Sequence, residues 1–195
     1  TMREKVLRVE LDAGNDIIDT CGTGGDKSGT INISTISAIV AAGAGVKVAK
    51  HGNRSVSSSC GSADLLESLG VNINLTPEQV AGCIRTAGIG FMFAPGFHSA
   101  MKHAIGPRRE MKIRTIFNVL GPLTNPAGVT RQVMGVFSKD LVEPIAHVLK
   151  NLGAEHAMVV HGSGNLDEIS ISGPTFISRV KDGTVTSEEL HPEDA

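Results

Sequence analysis

The sequence has no tryptophan and no tyrosine, and phenylalanine occurs only six times. Because hydrophobic residues still make up 41% of the 195 residues, the core must be built mainly from aliphatic side chains. Long apolar runs are also lacking, and none approaches the roughly 18 residues that a membrane-spanning helix needs. The charged opening TMREKVLRVE has no apolar stretch of the kind found in secretory signals. We therefore expect neither a targeting segment nor a membrane partner.

The chain also has few cysteines and little net charge. Its three cysteines, Cys21, Cys60 and Cys83, form no CxxC pair and leave one thiol over, so a disulfide framework or a zinc site is not indicated. With 18 basic and 20 acidic residues the formal net charge is −2, so no global field favours nucleic acid. These features fit a protein of the reducing cytoplasm that does not bind nucleic acid.

Short apolar runs alternate with segments of helical periodicity, which is typical of βα units. Alternating residues at 168–171 and 175–180, with an Asp-Gly turn after them, predict antiparallel strands. The expected fold is α/β, with a largely parallel sheet flanked by helices and antiparallel strands near the C-terminus, in one domain of residues 1–195. The other predicted strands cover residues 16–20, 46–50, 90–94, 131–137 and 156–161. The predicted helices cover residues 32–42, 62–69 (capped by Ser62), a segment capped by Thr76, 99–109 (after a turn at 95–98) and 140–152.

The segment DTCGTGGD, residues 19–26, is the first candidate site. It follows a predicted strand, and Asn32, Ser34 and Thr35 stand in the first turn of the helix after it. Bare amides of a glycine loop and the positive end of a helix dipole together form a site for anions. Asp26 would repel phosphates unless it accepts sugar hydroxyls or lies near a metal ion. The alternative is a tight turn followed by a helix cap.

Two common phosphate motifs do not fit this glycine loop. A Walker loop that used Lys27 would require glycine at positions 21 and 26, which are Cys and Asp. A dinucleotide fingerprint that began at Gly22 would require glycine at position 27, which is Lys. The loop is therefore a phosphate-type loop of a different kind.

The segment KHGNRSVSSS, residues 50–59, is the second candidate site. Lys50 and Arg54 offer cationic donors, and the serines offer hydroxyl groups. The segment follows a predicted strand, and open α/β sheets bind their ligands at the carboxyl ends of strands. A solvated polar loop is the alternative, although two such loops at the ends of parallel strands favour a shared site.

Several motifs in a fixed order carry a specific resemblance. They are GTGGD (22–26), NIST (32–35), KHGNRSVSS (50–58) with GSADLLE (61–67), and RTIFNVLGPLTNPA (114–127). Each string alone is modest, but the ordered set resembles the anthranilate phosphoribosyltransferases from about residue 16 to at least residue 171. The resemblance implies a catalytic domain of the nucleoside phosphorylase/phosphoribosyltransferase type. It also implies a homodimeric whole enzyme of which this chain would be a central portion, without the helical segment before it and the part after it.

The implied reaction transfers the phosphoribosyl group from 5-phosphoribosyl 1-diphosphate to the amino group of anthranilate, releasing diphosphate, in tryptophan biosynthesis. The resemblance also implies roles for individual residues. Anthranilate would be met by Gly22, Asn53 and Arg108, and Mg²⁺ by Ser34, Asp167 and Glu168. The residues implied to bind phosphoribosyl diphosphate are Gly22, Gly25, Asp26, Thr30, Asn32, Ile33, Ser34, Thr35, Lys50, His51, Gly52, Asn53, Arg54, Ser55, Val56, Ser57, Ser58 and Ser62.

The chemistry of diphosphate supports the implied magnesium pair. Diphosphate is a good leaving group only when its charge is neutralised, so hard oxygen ligands for Mg²⁺ are expected. Neighbouring side chains in a regular strand point to opposite faces. We therefore predict that Asp167 and Glu168 lie at a strand start or a bend, or serve different ions. The alternative is a solvated acidic pair at the entrance of a strand.

The implied anthranilate side is less specific. The planar guanidinium of Arg108 can bind a carboxylate with two parallel hydrogen bonds, although with Arg109 it could equally be a solvated pair at a helix end. His98 could shape the substrate pocket, but a histidine at a helix start is more often structural. Residues 121–126 form a rigid turn that could be a wall of the same pocket. The aromatic amine is nucleophilic when neutral, so we expect catalysis by positioning and electrostatics without a strong general base.

Two rival functions stay open at this point. A nucleoside phosphorylase would share the fold and the glycine loop but would use phosphate, and magnesium dependence would separate it from the transferase. A non-catalytic phosphosugar-binding or interaction module is the rival from another class, because a chain without the implied flanking segments could keep many ligand-contacting residues and still have little activity.

Overall fold

The computed structural model describes residues 1–11, 16–24, 29–55, 60–101 and 115–194. Seven strands of these residues form one sheet in the order β3-β2-β1-β4-β5-β6-β7. The strands are β1 (Ile17–Gly22), β2 (Lys47–Gly52), β3 (Ile89–Phe93), β4 (Arg131–Gly135), β5 (His156–Gly162), β6 (Thr175–Lys181) and β7 (Thr184–Leu190).

The first five strands are parallel, and β6 runs antiparallel to both β5 and β7. This arrangement confirms the predicted fold class. The chain builds β1, β2 and β3 towards one edge and then returns to place β4 on the other side of β1. The strand order therefore changes direction between β1 and β4, and open α/β sheets bind ligands outside the carboxyl ends of such a pair.

Helices form over the predicted segments 32–42, 62–69, the segment capped by Thr76 and 140–152, and short helices not predicted from the sequence lie beside them. The helices are α1 (Met2–Lys5), α2 (Ile33–Gly43), α3 (Ser62–Ser68), α4 (Pro77–Ala87), α5 (Ala94–Phe97), α6 (Phe117–Leu120) and α7 (Val142–Asn151). Short 3₁₀ turns occupy 99–101, 122–124, 139–141 and 192–194. No helix among these described residues is both long and apolar enough to cross a bilayer.

Helix α4 is built as its sequence predicts. The Thr76 hydroxyl accepts a hydrogen bond from the Gln79 amide at 3.3 Å, and the Gln79 side chain accepts one from the Thr76 amide at 2.9 Å. Pro77 fills the first helical position, where no amide is needed. The helix ends at Gly88, whose φ of 77° favours glycine. These local signals fix both ends of the helix.

Three details of the predicted secondary structure are wrong. The N-cap of α3 is Gly61 and not Ser62, because the Asp64 carboxylate accepts the Gly61 amide at 2.8 Å. Residues 168–171 form bends and irregular backbone and not a strand, since the Ser170 amide donates to the Thr175 hydroxyl at 2.9 Å and so does not join a ladder. The predicted turn at 95–98 lies mostly within the short helix α5, and the rest of the helix predicted over 99–109 falls outside the described residues after 101.

The core is aliphatic, as the composition predicts. One cluster packs α7 against the sheet and includes Ile145, Leu149 and Met134. A second cluster packs α4 against β2 and β3 and includes Val80 and Ile84. The sheet is thereby held rigid on both sides of β1, which positions the loops at its carboxyl edge.

Candidate functional site

Two paired glycines lie at the carboxyl ends of β1 and β4, where the crevice of the sheet begins. Gly22 and Gly135 lie side by side in the last register of these strands, and Asp167 from the loop after β5 lies directly against both. A β-carbon at Gly135 would lie 1.5 Å from the Asp167 carbonyl oxygen, and one at Gly22 would lie 2.5 Å from Asp167 Oδ2. The same Oδ2 accepts the amide of Gly24 at 2.7 Å. Only glycine at both positions lets an acidic residue dock onto the glycine loop in this way.

The predicted acidic pair lies in a bend. Asp167 is buried and Glu168 is half-buried, and both are bend residues, as one of the alternatives for the pair predicted. Asp167 accepts the Gly24 amide, whereas the charge of Glu168 acts on Lys50, where it opposes the lowering of the lysine pKa by burial. The two neighbouring acids therefore act on different groups at one edge of the sheet.

The donor set at this edge suits Mg²⁺. Carboxylates of Asp167 and Glu168 and the hydroxyl of Ser34 are hard oxygen ligands, which Mg²⁺ prefers, and this ion usually keeps several waters or phosphate oxygens as well. Within the described parts of the chain, no group of three or more His, Cys, Asp and Glu side chains converges. A magnesium site here would therefore depend on oxygens of a bound phosphate ligand. The metal role of these three residues stays a prediction.

Lys50 presents a buried ammonium group to the same region. Its side chain sits on β2, the residue is 2% exposed, and Nζ donates to the Thr20 carbonyl at 2.5 Å and to the Ser34 hydroxyl at 3.2 Å. No ion pair of Lys50 occurs among the described residues. Burial lowers the pKa of Lys50, and the charge of Asp19 is the largest effect that opposes this. A buried cation without a directly paired carboxylate is expensive to desolvate, so the site favours an incoming anion.

A buried network around Asp19 was not predicted from the sequence. Asp19 is 0% exposed, and its carboxylate accepts the amide of His51 at 3.3 Å and the side-chain amides of Asn125 at 2.8 Å and Gln132 at 3.3 Å. Burial raises the pKa of Asp19, while the charge of Lys50 and these hydrogen bonds oppose the shift. The network joins β1, β2, β4 and the turn at 121–126. The one sequence signal was a carboxylate in the middle of the otherwise uncharged strand β1.

His51 and His98 form a buried pair beside this network. Each residue is 6% exposed, their Nε2 atoms are 3.1 Å apart, and their ring centroids are 4.9 Å apart. Burial, followed by the charge of His98, lowers the pKa of His51 to about 3, and burial also lowers the pKa of His98. Both rings are therefore neutral at neutral pH.

This pair predicts acid sensitivity. Since the pKa of His51 falls from 6.5 to about 3 on folding, only the unfolded chain takes up this proton between those two pH values. The contribution of His51 to the free energy of unfolding should be constant above about pH 6.5. Below that pH it should fall as the pH decreases, with a slope of up to about 1.4 kcal/mol per pH unit. Urea unfolding from pH 4 to 8 measures the slope.

A matched pair of variants isolates the contribution of His51. The carboxyl groups contribute to the pH dependence of both variants, so the comparison is with His51→Gln, which should have a shallower slope. His156→Gln, which changes an exposed histidine at the start of β5, should leave the slope unchanged. Equal slopes for the wild-type protein and His51→Gln would contradict the prediction.

Arg54 forms ion pairs with two acidic residues of α3. Its guanidinium pairs with Asp64 at 2.9 Å and with Glu67 at 2.5 Å on α3, and it lies 5.5 Å from the centre of the Phe93 ring. Glu67 and then Asp64 raise the pKa of Arg54. The predicted role of Arg54 in binding diphosphate stays a prediction, and it would require the guanidinium to leave or share these carboxylates.

The other predicted loop residues form local contacts. The Asn53 carbonyl accepts the Ser62 hydroxyl at 3.2 Å, and the Asn32 side chain donates to the Cys60 carbonyl at 3.1 Å. Gly52 has no room for a side chain, because a β-carbon there would lie 2.3 Å from the Ser62 hydroxyl. These contacts hold the start of α2 and the KHGN loop against the residues that begin α3.

Several predicted residues stay without a tested role. Thr30 is exposed, Ile33 begins α2, Ser55 donates its amide to Asp64 at 3.2 Å, and the Thr35 hydroxyl is buried without a hydrogen-bond partner in the described regions. The predicted residues that lie outside the described parts of the chain are Gly25, Asp26, Val56, Ser57, Ser58 and Arg108.

These features define an α/β protein with buried polar groups at the switch point of its sheet. The chain belongs to the glycosyl transferase family with an a/b domain, whose family model matches residues 14–195.

Two relatives show which proteins the chain is similar to in sequence. The chain is 62% identical to an anthranilate phosphoribosyltransferase of Thioalkalivibrio sulfidiphilus, over 99% of this chain and 57% of that protein. It is 60% identical to the one of Rhodopseudomonas palustris, over 100% of this chain and 57% of that protein. The chain therefore spans little more than half the length of these relatives.

Solved structures of similar proteins share the fold. The anthranilate phosphoribosyltransferase of Thermus thermophilus aligns with a TM-score of 0.90 and 47% identity, over 99% of this chain and 56% of that one. The enzyme of Saccharomyces cerevisiae in complex with PRPP and Mg aligns with a TM-score of 0.88 and 33% identity, over 98% of this chain and 53% of that one. The similarity to both covers almost the whole of this chain.

Proposed function

We propose that this chain is the donor-binding portion of an anthranilate phosphoribosyltransferase, which transfers the phosphoribosyl group of 5-phosphoribosyl 1-diphosphate to the amino group of anthranilate. The observation that carries the proposal is the buried ammonium of Lys50, which has no ion pair among the described residues and contacts Ser34 at 3.2 Å. A diphosphate would supply the missing negative charge. The yeast relative, whose structure contains PRPP and Mg, supports the same ligand here.

The residues present fit a magnesium diphosphate. Mg²⁺ would be held by Asp167, Glu168 and Ser34, and when bound it would neutralise the charge that develops on the leaving diphosphate. Asp167 can accept the Gly24 amide and ligate a cation at the same time, because a carboxylate has about four acceptor positions. Lys50 would offer its third N–H to the same diphosphate, since two are used by Thr20 and Ser34.

The acceptor side of the proposal involves Gly22, Asn53 and Arg108, which would orient anthranilate for attack on the ribose. Gly22 ends β1 in the crevice and Asn53 follows β2 at the same edge. Holding two reactants in line supplies much of the rate enhancement for such a transfer, so no strong general base is required. For the whole protein we propose a cytoplasmic homodimer, and the three free thiols of this chain suit a reducing compartment.

Calorimetry tests the donor site directly. Phosphoribosyl diphosphate should bind the chain in the presence of Mg²⁺, and the double variant Asp167→Asn/Glu168→Gln should lose this magnesium-dependent binding. The matched control is Asp140→Asn/Glu143→Gln, because both of these acids are exposed on the surface near α7. The control should bind like the wild-type chain.

Each other outcome has a distinct meaning. Undiminished magnesium-dependent binding in the Asp167/Glu168 variant would contradict the metal assignment. Binding of inorganic phosphate with no magnesium requirement would favour the phosphorylase alternative. If the folded wild-type chain binds nothing, the same titration on a full-length form decides between an incomplete donor site and a wrong assignment.

A further inference from the structure

The buried histidine pair connects two separate parts of the chain. His51 ends the buried part of β2, and His98 follows α5. The two rings are tilted by 53° and meet through their Nε2 atoms at 3.1 Å. The backbone amide of His51 is held separately by Asp19 at 3.3 Å. Both the ring and the main chain of His51 are therefore fixed.

The geometry requires one proton between the two rings. Two imidazole nitrogens at hydrogen-bond distance need one proton between them, because two lone pairs or two N–H groups would repel. One ring therefore donates from Nε2, and the Nε2 atom of the other ring accepts.

We propose that His51 and His98 are positioning residues whose single tautomer-fixed hydrogen bond fastens the KHGN loop to the segment after α5. Lys50 and Asn53 flank His51 in this loop, so the bond sets the placement of both. This inference rests on the proposed function, because Lys50 and Asn53 are its proposed donor-site and acceptor-site residues.

The surroundings explain why the pair works by position and not by charge. A positive charge on His98 would oppose protonation of His51, and the charge of the neighbouring Lys50 opposes it as well. The carboxylate of Asp19 is already occupied by Asn125, Gln132 and the His51 amide. No carboxylate among the described residues forms an ion pair with either ring. A proton gained at the accepting Nε2 atom would therefore break the bond between the two rings.

Nuclear magnetic resonance of the ¹⁵N-histidine-labelled chain tests the proton arrangement. Long-range proton–nitrogen correlations should show one ring protonated at Nε2 and the other at Nδ1, each in a single tautomer. His147, which is exposed on α7, serves as the reference for an averaging ring. Nε2 protonated in both rings or in neither, or averaging of both rings between tautomers, would overturn the proposal without affecting the assignment of the donor site.

Two variants of His98 test the positioning role. His98→Gln keeps an N–H donor of similar reach, whereas His98→Leu keeps the volume without the donor. The leucine variant should bind phosphoribosyl diphosphate with Mg²⁺ about three- to tenfold more weakly, the effect of one lost hydrogen bond, and the glutamine variant should retain most of the affinity. Equal affinities of the two variants would reject the role.

The controls keep this test separate from the proposed function. Thermal unfolding checks that each variant is folded, and if His98→Leu fails to fold, the tautomers of the wild-type chain decide the question. If the wild-type chain binds no phosphoribosyl diphosphate, the proposed function fails, but the tautomer measurement still accepts or rejects the locked pair.

Discussion

Gly135→Ala should abolish magnesium-dependent binding of phosphoribosyl diphosphate and lower the free energy of unfolding by about 3 kcal/mol or more. The added β-carbon would lie 1.5 Å from the Asp167 carbonyl oxygen and 2.4 Å from its carbonyl carbon. These are backbone atoms, so no side-chain rotation relieves the clash. The loop after β5 must move, and Asp167 must leave the glycine loop with it.

Gly43→Ala is the matched control. Gly43 ends α2, no heavy atom lies within 4 Å of its added β-carbon, and its backbone does not have a positive φ. Alanine is favoured over glycine in a helix, so this change should leave binding intact and alter stability by less than about 1 kcal/mol. Urea unfolding and calorimetry of the two variants give both comparisons. Wild-type binding by Gly135→Ala would mean that the contact with Asp167 does not build the donor site.

Lys50→Met should weaken ligand binding and leave the free energy of unfolding almost unchanged. Removing the ammonium should weaken binding of magnesium phosphoribosyl diphosphate about 100-fold, the value expected for one buried charge-assisted contact of roughly 3 kcal/mol. Stability should change by less than about 1 kcal/mol, because two opposite effects nearly cancel. The variant loses the two hydrogen bonds that the ammonium group donates, each of which stabilises the folded chain by about 1.5–3 kcal/mol. It also avoids the cost of burying the charge, which is several kcal/mol. Asp19 keeps its own three hydrogen bonds in the variant.

Lys181→Met is the control for Lys50. Lys181 is exposed at the end of β6, far along the sheet from β2. Its replacement should change neither binding nor stability beyond about 0.5 kcal/mol. If Lys50→Met lost stability and affinity by similar amounts, Lys50 would be a structural cation, and the main support for the donor site would disappear.

The sequence predicted the strands and helices well where local signals were strong. The Thr76 cap, Pro77 and Gly88 fix α4 at both ends. The Asp182-Gly183 turn lies between β6 and β7, with φ angles of 49° and 71° that suit a two-residue hairpin. The strand predicted over 168–171 failed because alternation of apolar and polar residues does not reveal that Ser170 bonds to Thr175 instead of joining a ladder.

By itself, the sequence determined the fold class, the aliphatic core and the two loops that begin at Gly22 and Lys50. These follow from periodicity, composition and neighbouring residue types, all of which act over a few positions. The motifs also carried the resemblance to a family, and the comparisons support it.

Only the tertiary structure decided how the site is assembled. Asp19 meets Asn125 across 106 positions, Gly24 meets Asp167 across 143, and His51 meets His98 across 47. Periodicity shows which face of a strand is apolar, but it does not show which strands become neighbours. The return of the chain from β3 to a position beside β1 brings Gly135 against Gly22. That placement makes room for Asp167, so its importance is visible only in the folded chain.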